Sequence, residues 1–145
     1  MFEAQGDLRT GVKYLPVAAN KNIAQGDAVV WASGYVQSVT VAGNNGDATE
    51  LNFVGVAVNA ANNTGGAAGA ISVYVQLYSK DNTYKVATTG APSQAMMGTI
   101  CDFETAGTVD EADVTLAAAN TIGFHMDEFD ATGNCVWGRF SSKGV

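Results

Sequence analysis

The sequence predicts an all-β protein, a compact β-barrel or sandwich that is built from two similar small β-units. Apolar runs of strand length alternate with turn clusters along the chain. Glycine is abundant, with 17 of 145 residues, which suits many tight turns. The order of strands and turns in the first half returns, more weakly, in the second half.

The length and composition fit one domain with an ordinary core. A chain of 145 residues buries about 68–70% of its unfolded surface. The net charge is −7 with only seven Lys and Arg residues, which argues against a basic patch for nucleic acid. No run approaches the ~18 apolar residues of a membrane span. The N-terminus lacks the features of a signal peptide, so we expect synthesis in the cytoplasm.

The first element is an N-terminal arm over residues 1–20, followed by a single β-domain over residues 21–145. Pro16 excludes the arm from a central strand position, because proline cannot donate to a ladder. Phe2 stands near its tip. The arm either packs on its own domain, as most termini do, or reaches a neighbour.

The first pseudo-repeat is expected over residues 21–87. Residues 28–31 are consecutively apolar, which indicates a strand that is covered on both faces. Gly55 in the strand at 53–58 predicts a bulge or a close backbone approach. Residues 59–70 are small and polar and predict a long, exposed, flexible loop that fills no core and is a candidate for function.

The second pseudo-repeat is expected over residues 93–140, after a break at Gly90 and Pro92. It contains at most one short helix near residues 110–119, where acids precede alanines. The copies predict two β-units sharing a core or one barrel of two halves, although glycine- and valine-rich strands can also match by chance. The matched positions are Gly26 with Gly98, Trp31 with Phe103, Gly34 with Gly107, Val36 with Val109, and residues 54–56 with 122–124.

The sequence offers little catalytic chemistry, and we expect no enzyme, no cofactor and no metal. His125 is the only histidine, and we expect it to be an ordinary strand residue. The sequence contains no recognisable nucleophile motif. The acidic run at 127–130 could hold Ca²⁺ but lacks EF-hand spacing. Cys101 and Cys135 lie in apolar runs and are expected as buried thiols, with a disulfide between them left open.

The aromatic residues allow two interpretations. They could form a carbohydrate-binding platform, but most lie in strand runs where core packing is commoner. The residues concerned are Trp31, Tyr35, Tyr74, Tyr78, Tyr84 and Trp137.

The order of short motifs resembles the head decoration, or cement, proteins of tailed bacteriophages. The matching residues are Ile23, Gly26-Asp27, Val29, Gly34, Val36, Phe53-Val54-Gly55-Val56-Ala57, Ile71 and Val73, and in the second half Gly98, Ile122-Gly123 and Val136-Trp137-Gly138-Arg139-Phe140. The chain departs from this family in the longer loop at 59–70 and in Gly98-Thr99, where the first copy has Gly-Asp.

The resemblance implies a structural protein of the virion that binds the outside of the assembled capsid and stabilises it. Its expected partners are the major capsid protein and further copies of itself, as a homotrimer. The interface is expected on the arm, at Phe2, Tyr14, Leu15 and Pro16, and deletion of residues 1–16 is expected to leave the fold intact. The alternative is a ligand- or carbohydrate-binding β-module of a phage fibre or surface protein.

Overall fold

The computed structural model describes residues 1–5, 11–42, 45–46, 48–114 and 121–142. It confirms the all-β class, and the one helical element among these residues is a 3₁₀ turn at Gln94–Met96. The strands are β1 Glu3–Gln5, β2 Val12–Pro16, β3 Asn22–Ile23, β4 Ala28–Ala32, β5 Tyr35–Ser38, β6 Val41–Ala42, β7 Asn45–Gly46, β8 Phe53–Ala57, β9 Ala61–Asn62, β10 Ser72–Leu77, β11 Thr83–Thr88, β12 Ile100–Thr105, β13 Thr108–Asp110, β14 Ile122–Asp130 and β15 Cys135–Ser142.

The second half of the helix expected near 110–119 lies outside the described residues, at 115–119. Within the described part, Asp110 ends β13 and the next two residues form a turn.

The second half of the chain forms a closed five-stranded barrel, here the C-terminal barrel. Its strand order is β11-β13-β12-β14-β15, and β11 also pairs with β15, which closes the ring. Strand β1 is added antiparallel to the first residues of β11. Because β1 comes from the N-terminus, this barrel is completed by residues far away in sequence.

The first half forms a matching five-stranded sheet, in the order β2-β10-β8-β4-β5. Its two outer strands meet where Val17 forms a parallel bridge with Val36, which brings the sheet round into the N-terminal barrel. A small sheet of β3 and β9 lies beside it.

The two barrels share one topology, strand by strand. In the N-terminal barrel, the hairpin β4-β5 is followed by β8, which pairs with β4, and then by β10, which pairs with β8. In the C-terminal barrel, the hairpin β12-β13 is followed by β14, which pairs with β12, and then by β15, which pairs with β14. The opening strand runs antiparallel to the last strand and parallel to the second hairpin strand. Ala18 N–H donates to Val36 C=O at 2.9 Å, and Thr89 N–H donates to Val109 C=O at 3.1 Å, which is the same bond in both copies.

This correspondence gives the units different boundaries from the predicted repeats. Strand β2 opens the N-terminal barrel but lies in the predicted arm, and β11 opens the C-terminal barrel but lies in the predicted first repeat. Each unit therefore begins one strand earlier than the glycine pattern indicates. The opening strands were missed because they lack the repeated glycines by which the copies were aligned.

Strand β4 is covered on both faces at Val29 and Val30, as its apolar run predicts, and β8 is covered on both faces as well. Val29 and Val54 pack in the interior of the N-terminal barrel. Val30, Phe53 and Val56 pack on the other side, in the aromatic core shared with the C-terminal barrel. The two barrels are thus joined through the outer face of this strand pair.

The structure shows why residue 55 is a glycine, and the reason is the one predicted from the sequence. The ladder between β4 and β8 shifts register beside it, and its φ is +153°. A Cβ at this position would lie 1.8 Å from the carbonyl oxygen of Gln76. Both a bulge and a close backbone approach are therefore present.

The loop at 59–70 contributes more to the packing than predicted. Ala61 is buried in the core of the N-terminal barrel. The buried Asn63 amide donates to the carbonyl oxygens of Ala18 at 3.0 Å and Ala67 at 2.9 Å. The prediction that nothing in this loop fills a core was therefore wrong at these two residues, because a small side chain and a satisfied amide can both be buried.

Candidate functional site

Phe2, the first of the four predicted interface residues, lies in the core. Its side chain is 3% exposed, and its ring centroid lies 4.8 Å from that of Phe140 and 5.6 Å from that of Phe124. Its N–H donates to Gly26 C=O at 2.8 Å. Phe2 is therefore enclosed by its own chain, and it supplies no surface to a partner in this structure.

The other three residues occupy the edge strand β2. Leu15 points inward and packs against the core of the N-terminal barrel. Pro16 is half-buried and lies opposite Ser72 on β10. Tyr14 points outward and is 61% exposed, so it is the predicted interface residue that reaches solvent most fully.

Tyr14 belongs to an exposed apolar row that crosses β2 and β10 and ends at Val58, the residue after β8. Its ring stacks on Tyr74, directly opposite on β10, with 4.5 Å between centroids and 28° between planes. Tyr74 C=O accepts from Val58 N–H at 2.8 Å, which places Val58 at the next position across the sheet. With Val12 on the same side of β2, these residues form what we call the tyrosine face: Val12, Tyr14, Val58 and Tyr74.

The sequence predicts an interface role for Tyr14, suggests Tyr74 only as one of six aromatic residues of a possible carbohydrate platform, and gives no role to Val58. Residues 71–76 alternate, with Ile71, Val73 and Val75 on one side and Tyr74 among the polar residues on the other. That alternation was sufficient to predict an outward Tyr74. Its stacking partner could not be predicted, because 59 positions separate Tyr74 from Tyr14 in the sequence.

A second feature is an open groove of about 350 Å³ at the mouth of the N-terminal barrel. Trp31 lies on its wall and is 38% exposed. Tyr78 lies beside it, and burial, followed by the charge of Glu50, raises the pKa of this phenol. The groove is lined by Lys13, Leu15, Trp31, Phe53, Val54, Leu77 and Tyr78.

The preference for core packing of the aromatics was therefore wrong for two of them, Trp31 and Tyr74. Of the six considered, only Tyr84 is fully buried. Trp137 is partly exposed, with the Lys85 ammonium 5.5 Å from its ring centroid.

His125 belongs to a charged cluster on the outside of the C-terminal barrel. Its Nδ1 lies 3.0 Å from Asp127 Oδ1 without hydrogen-bond geometry, and Arg139 Nη1 lies 3.2 Å from Asp127 Oδ2. Asp130 Oδ1 accepts from the N–H groups of Thr132 and Gly133, both at 3.0 Å. Two of the three carboxylates considered for Ca²⁺, those of Asp127 and Asp130, are thus engaged in an ion pair and a turn, and the described residues contain no group of three potential ligands.

The two cysteines are free and buried, as predicted. Cys101 Sγ–H donates to Phe124 C=O at 3.4 Å. Burial, reinforced by nearby Glu111, Asp102 and Asp110, raises the pKa of this thiol to about 12. A thiol with so high a pKa is a poor nucleophile at neutral pH.

Among the described residues, no helix has the length and hydropathy to cross a membrane. Comparisons of the chain with protein families, with curated proteins and with solved structures find no match.

Proposed function

We propose that this protein is a structural component of a bacteriophage virion that binds the outside of the assembled capsid and stabilises it. Two things support this proposal: the motif order shared with head decoration proteins, and the tyrosine face. The tyrosine face carries it, because it is an exposed apolar surface on a firmly paired sheet, which is what a binding surface requires.

The composition of the face suits a protein partner. Tyrosine is enriched among the residues that dominate interface energies, since it buries a large area with little loss of side-chain entropy. The stacked pair of Tyr14 and Tyr74 is already ordered in the free protein. Less ordering free energy is therefore lost when a partner covers it.

Stabilisation follows from binding alone. A protein that binds the assembled shell but not its separated subunits shifts the equilibrium toward the shell. Many symmetric copies, or trimers of this chain, would multiply a modest contact through avidity. The net charge of −7 would add attraction to a shell whose outer surface is basic.

The test measures cosedimentation of the purified protein with empty capsids of its own phage and with the dissociated major capsid protein. We expect saturable binding to capsids only, with a fixed number of copies for each capsomer. Absence of binding to capsids, or equal binding to dissociated subunits, would reject the proposal. Attachment that does not change with ionic strength would reject the electrostatic contribution.

The tyrosine face has a matched pair of variants. Tyr14→Ala with Tyr74→Ala should weaken capsid binding at least about tenfold, since removal of one interface tyrosine costs more than about 1.4 kcal/mol at a hot spot. Val114→Ala is the control, because Val114 is also an exposed apolar residue but lies after β13, in the other half of the chain. Equal effects of the two changes would show that the tyrosine face is not the interface.

The ligand-binding alternative has one observation in its favour, the exposed ring of Trp31. An aromatic ring at the mouth of a barrel can stack on a sugar. A glycan array addresses this directly. Binding of a defined glycan with an affinity that is lost in Trp31→Ala would favour the alternative.

A further inference from the structure

The mouth of the C-terminal barrel is closed by an aromatic side chain on an extended segment. The Phe2 ring lies there, with its centroid 4.8 Å from Phe140, 5.8 Å from Phe103 and 6.4 Å from Tyr84. The residues that follow it form β1 and pair with β11. Phe2 is therefore delivered to the mouth by a short strand that adds to the barrel wall.

The shared topology identifies the same positions in the N-terminal barrel. Val17 forms a parallel bridge with Val36, and Thr88 forms the corresponding parallel pair with Val109. Val17 is therefore equivalent to Thr88. Four residues earlier, Lys13 is then equivalent to Tyr84.

The same reasoning extends to the neighbouring strands. Trp31 pairs with Val36 as Phe103 pairs with Val109, so Trp31 is equivalent to Phe103. Lys13 pairs with Val75 as Tyr84 pairs with Gly138, so Leu77 is equivalent to Phe140.

An independent contact supports this alignment. The alignment makes the cross-strand pair Tyr14 and Tyr74 equivalent to the cross-strand pair Lys85 and Trp137. The first pair stacks at 4.5 Å, and the second makes a cation–π contact at 5.5 Å. Both barrels thus carry a ring-based contact at the same place on the outer face.

The residues equivalent to three of the four aromatic neighbours of Phe2 line the open groove of the N-terminal barrel. They are Lys13, Trp31 and Leu77. Phe103 is 2% exposed beneath Phe2, whereas Trp31 is 38% exposed. A surface that is covered by an aromatic ring in one copy is therefore open to solvent in the other.

The one charged substitution in the groove indicates what a ligand must carry. Lys13 stands where the C-terminal barrel has Tyr84, and among the described residues it makes no ion pair. In the segment that fills the other mouth, Ala4 lies opposite Tyr84, whereas Glu3 lies opposite Lys85, the equivalent of Tyr14 on the outer face. A carboxylate two residues after the inserted ring would therefore lie opposite Lys13 and pair with it.

We propose that the mouth of the N-terminal barrel is a receptor for an aromatic side chain carried on an extended acidic segment of a partner protein. The ring enters between Trp31 and Leu77, and a carboxylate two residues later binds the Lys13 ammonium. The assignment depends on the two barrels alone and stands whether or not the partner is a capsid.

The test uses the peptide acetyl-Ala-Phe-Ala-Glu-amide as the probe. In Trp137→Phe protein, Trp31 is the only tryptophan, so its fluorescence reports on the groove. We expect a saturable change in Trp31 emission. Calorimetric titration of the wild-type protein measures the same binding without any substitution.

Two altered peptides separate the contributions. Replacing Phe by Ala should abolish saturable binding. Replacing Glu by Gln should weaken binding about threefold to tenfold at low salt, as expected for one partly exposed ion pair. The difference between the Glu and Gln peptides should vanish in Lys13→Gln but persist in Lys80→Gln, the control, because Lys80 is exposed in the turn between β10 and β11.

Three results would overturn the proposal. The first is no saturable signal from the Phe-Ala-Glu peptide in either measurement. The second is equal binding of the Phe and Ala peptides, and the third is a Glu preference that survives in Lys13→Gln. Quenching of Trp31 by a glycan, with no response to the peptide, would assign the groove to carbohydrate instead.

Discussion

Replacing Phe2 by Ala should destabilise the whole protein, although the residue lies next to the N-terminus. Four aromatic neighbours surround the ring, with centroids between 4.8 and 6.4 Å away. Removal of a buried phenylalanine side chain costs about 3–5 kcal/mol. Because residues 1–5 can detach as a short segment, we expect the lower end, about 3 kcal/mol out of roughly 5–15 kcal/mol in total.

Urea unfolding measured by tyrosine and tryptophan fluorescence tests this expectation. With an m-value of about 2 kcal/mol/M, the midpoint should fall by roughly 1.5 M. Glu3→Ala is the control, since Glu3 is exposed on β1 and should change stability by less than about 0.5 kcal/mol. A midpoint for Phe2→Ala within 0.2 M of the wild type would show that Phe2 belongs to a detachable arm and not to the core.

Three other substitutions probe the fold. Gly55→Ala should lower the free energy of unfolding by at least about 2 kcal/mol, measured by urea unfolding, because its Cβ would meet the Gln76 carbonyl oxygen at a φ that favours glycine; wild-type stability would contradict the bulge. Asn63→Ala should cost about 1–3 kcal/mol and speed amide exchange in the loop at 59–70, because it leaves the Ala18 carbonyl without this donor; unchanged exchange would contradict the anchoring role. Between pH 9 and about 12 the unfolded chain loses the Cys101 thiol proton while the folded protein keeps it. The free energy of unfolding should therefore fall across this window more steeply in the wild type than in Cys101→Ala. Parallel curves of stability against pH would show an accessible thiol.

The fold class and the duplication could be predicted because glycine reports on backbone conformation. Gly26 and Gly98 were matched from sequence, and their φ values are +83° and +82°. Gly34, in the first hairpin turn, has a φ of +85°. Side chains rarely adopt these angles, which explains why glycine stands at both Gly26 and Gly98. Gly107, the match of Gly34, has no positive φ, so backbone conformation does not explain that match.

The opening strands and the interface residues were harder to predict, for a physical reason. Strand β1 pairs with β11 about 80 positions later, and β2 pairs with β10 about 60 positions later. Segments of three to five residues carry no signal that selects such distant partners, because strand preference depends on tertiary context. Phe2 and Leu15 were therefore assigned to an arm, although one lies in the aromatic core and the other packs against the interior of the N-terminal barrel.

Deletion of residues 1–16, expected from the sequence to leave the fold intact, would remove a barrel strand and the core ring of Phe2. Loss of capsid binding in that deletion would then report unfolding and not the loss of a contact. Point changes on the outward side of β2, such as Tyr14→Ala, separate the two effects because Tyr14 is exposed while Leu15 packs inward.

The two mouths show how one scaffold can be completed in different ways. A barrel of this size ends in an apolar opening that has to be filled or hydrated. The C-terminal barrel fills it with Phe2 from its own chain. At the equivalent mouth, Lys13 can cover the apolar wall with its methylene stem while its ammonium stays in water, so the open groove remains compatible with solubility. In the proposed complex, an incoming aromatic side chain would displace that water and the carboxylate that accompanies it would pair with the ammonium, so the open mouth of the N-terminal barrel is where this proposal places the partner.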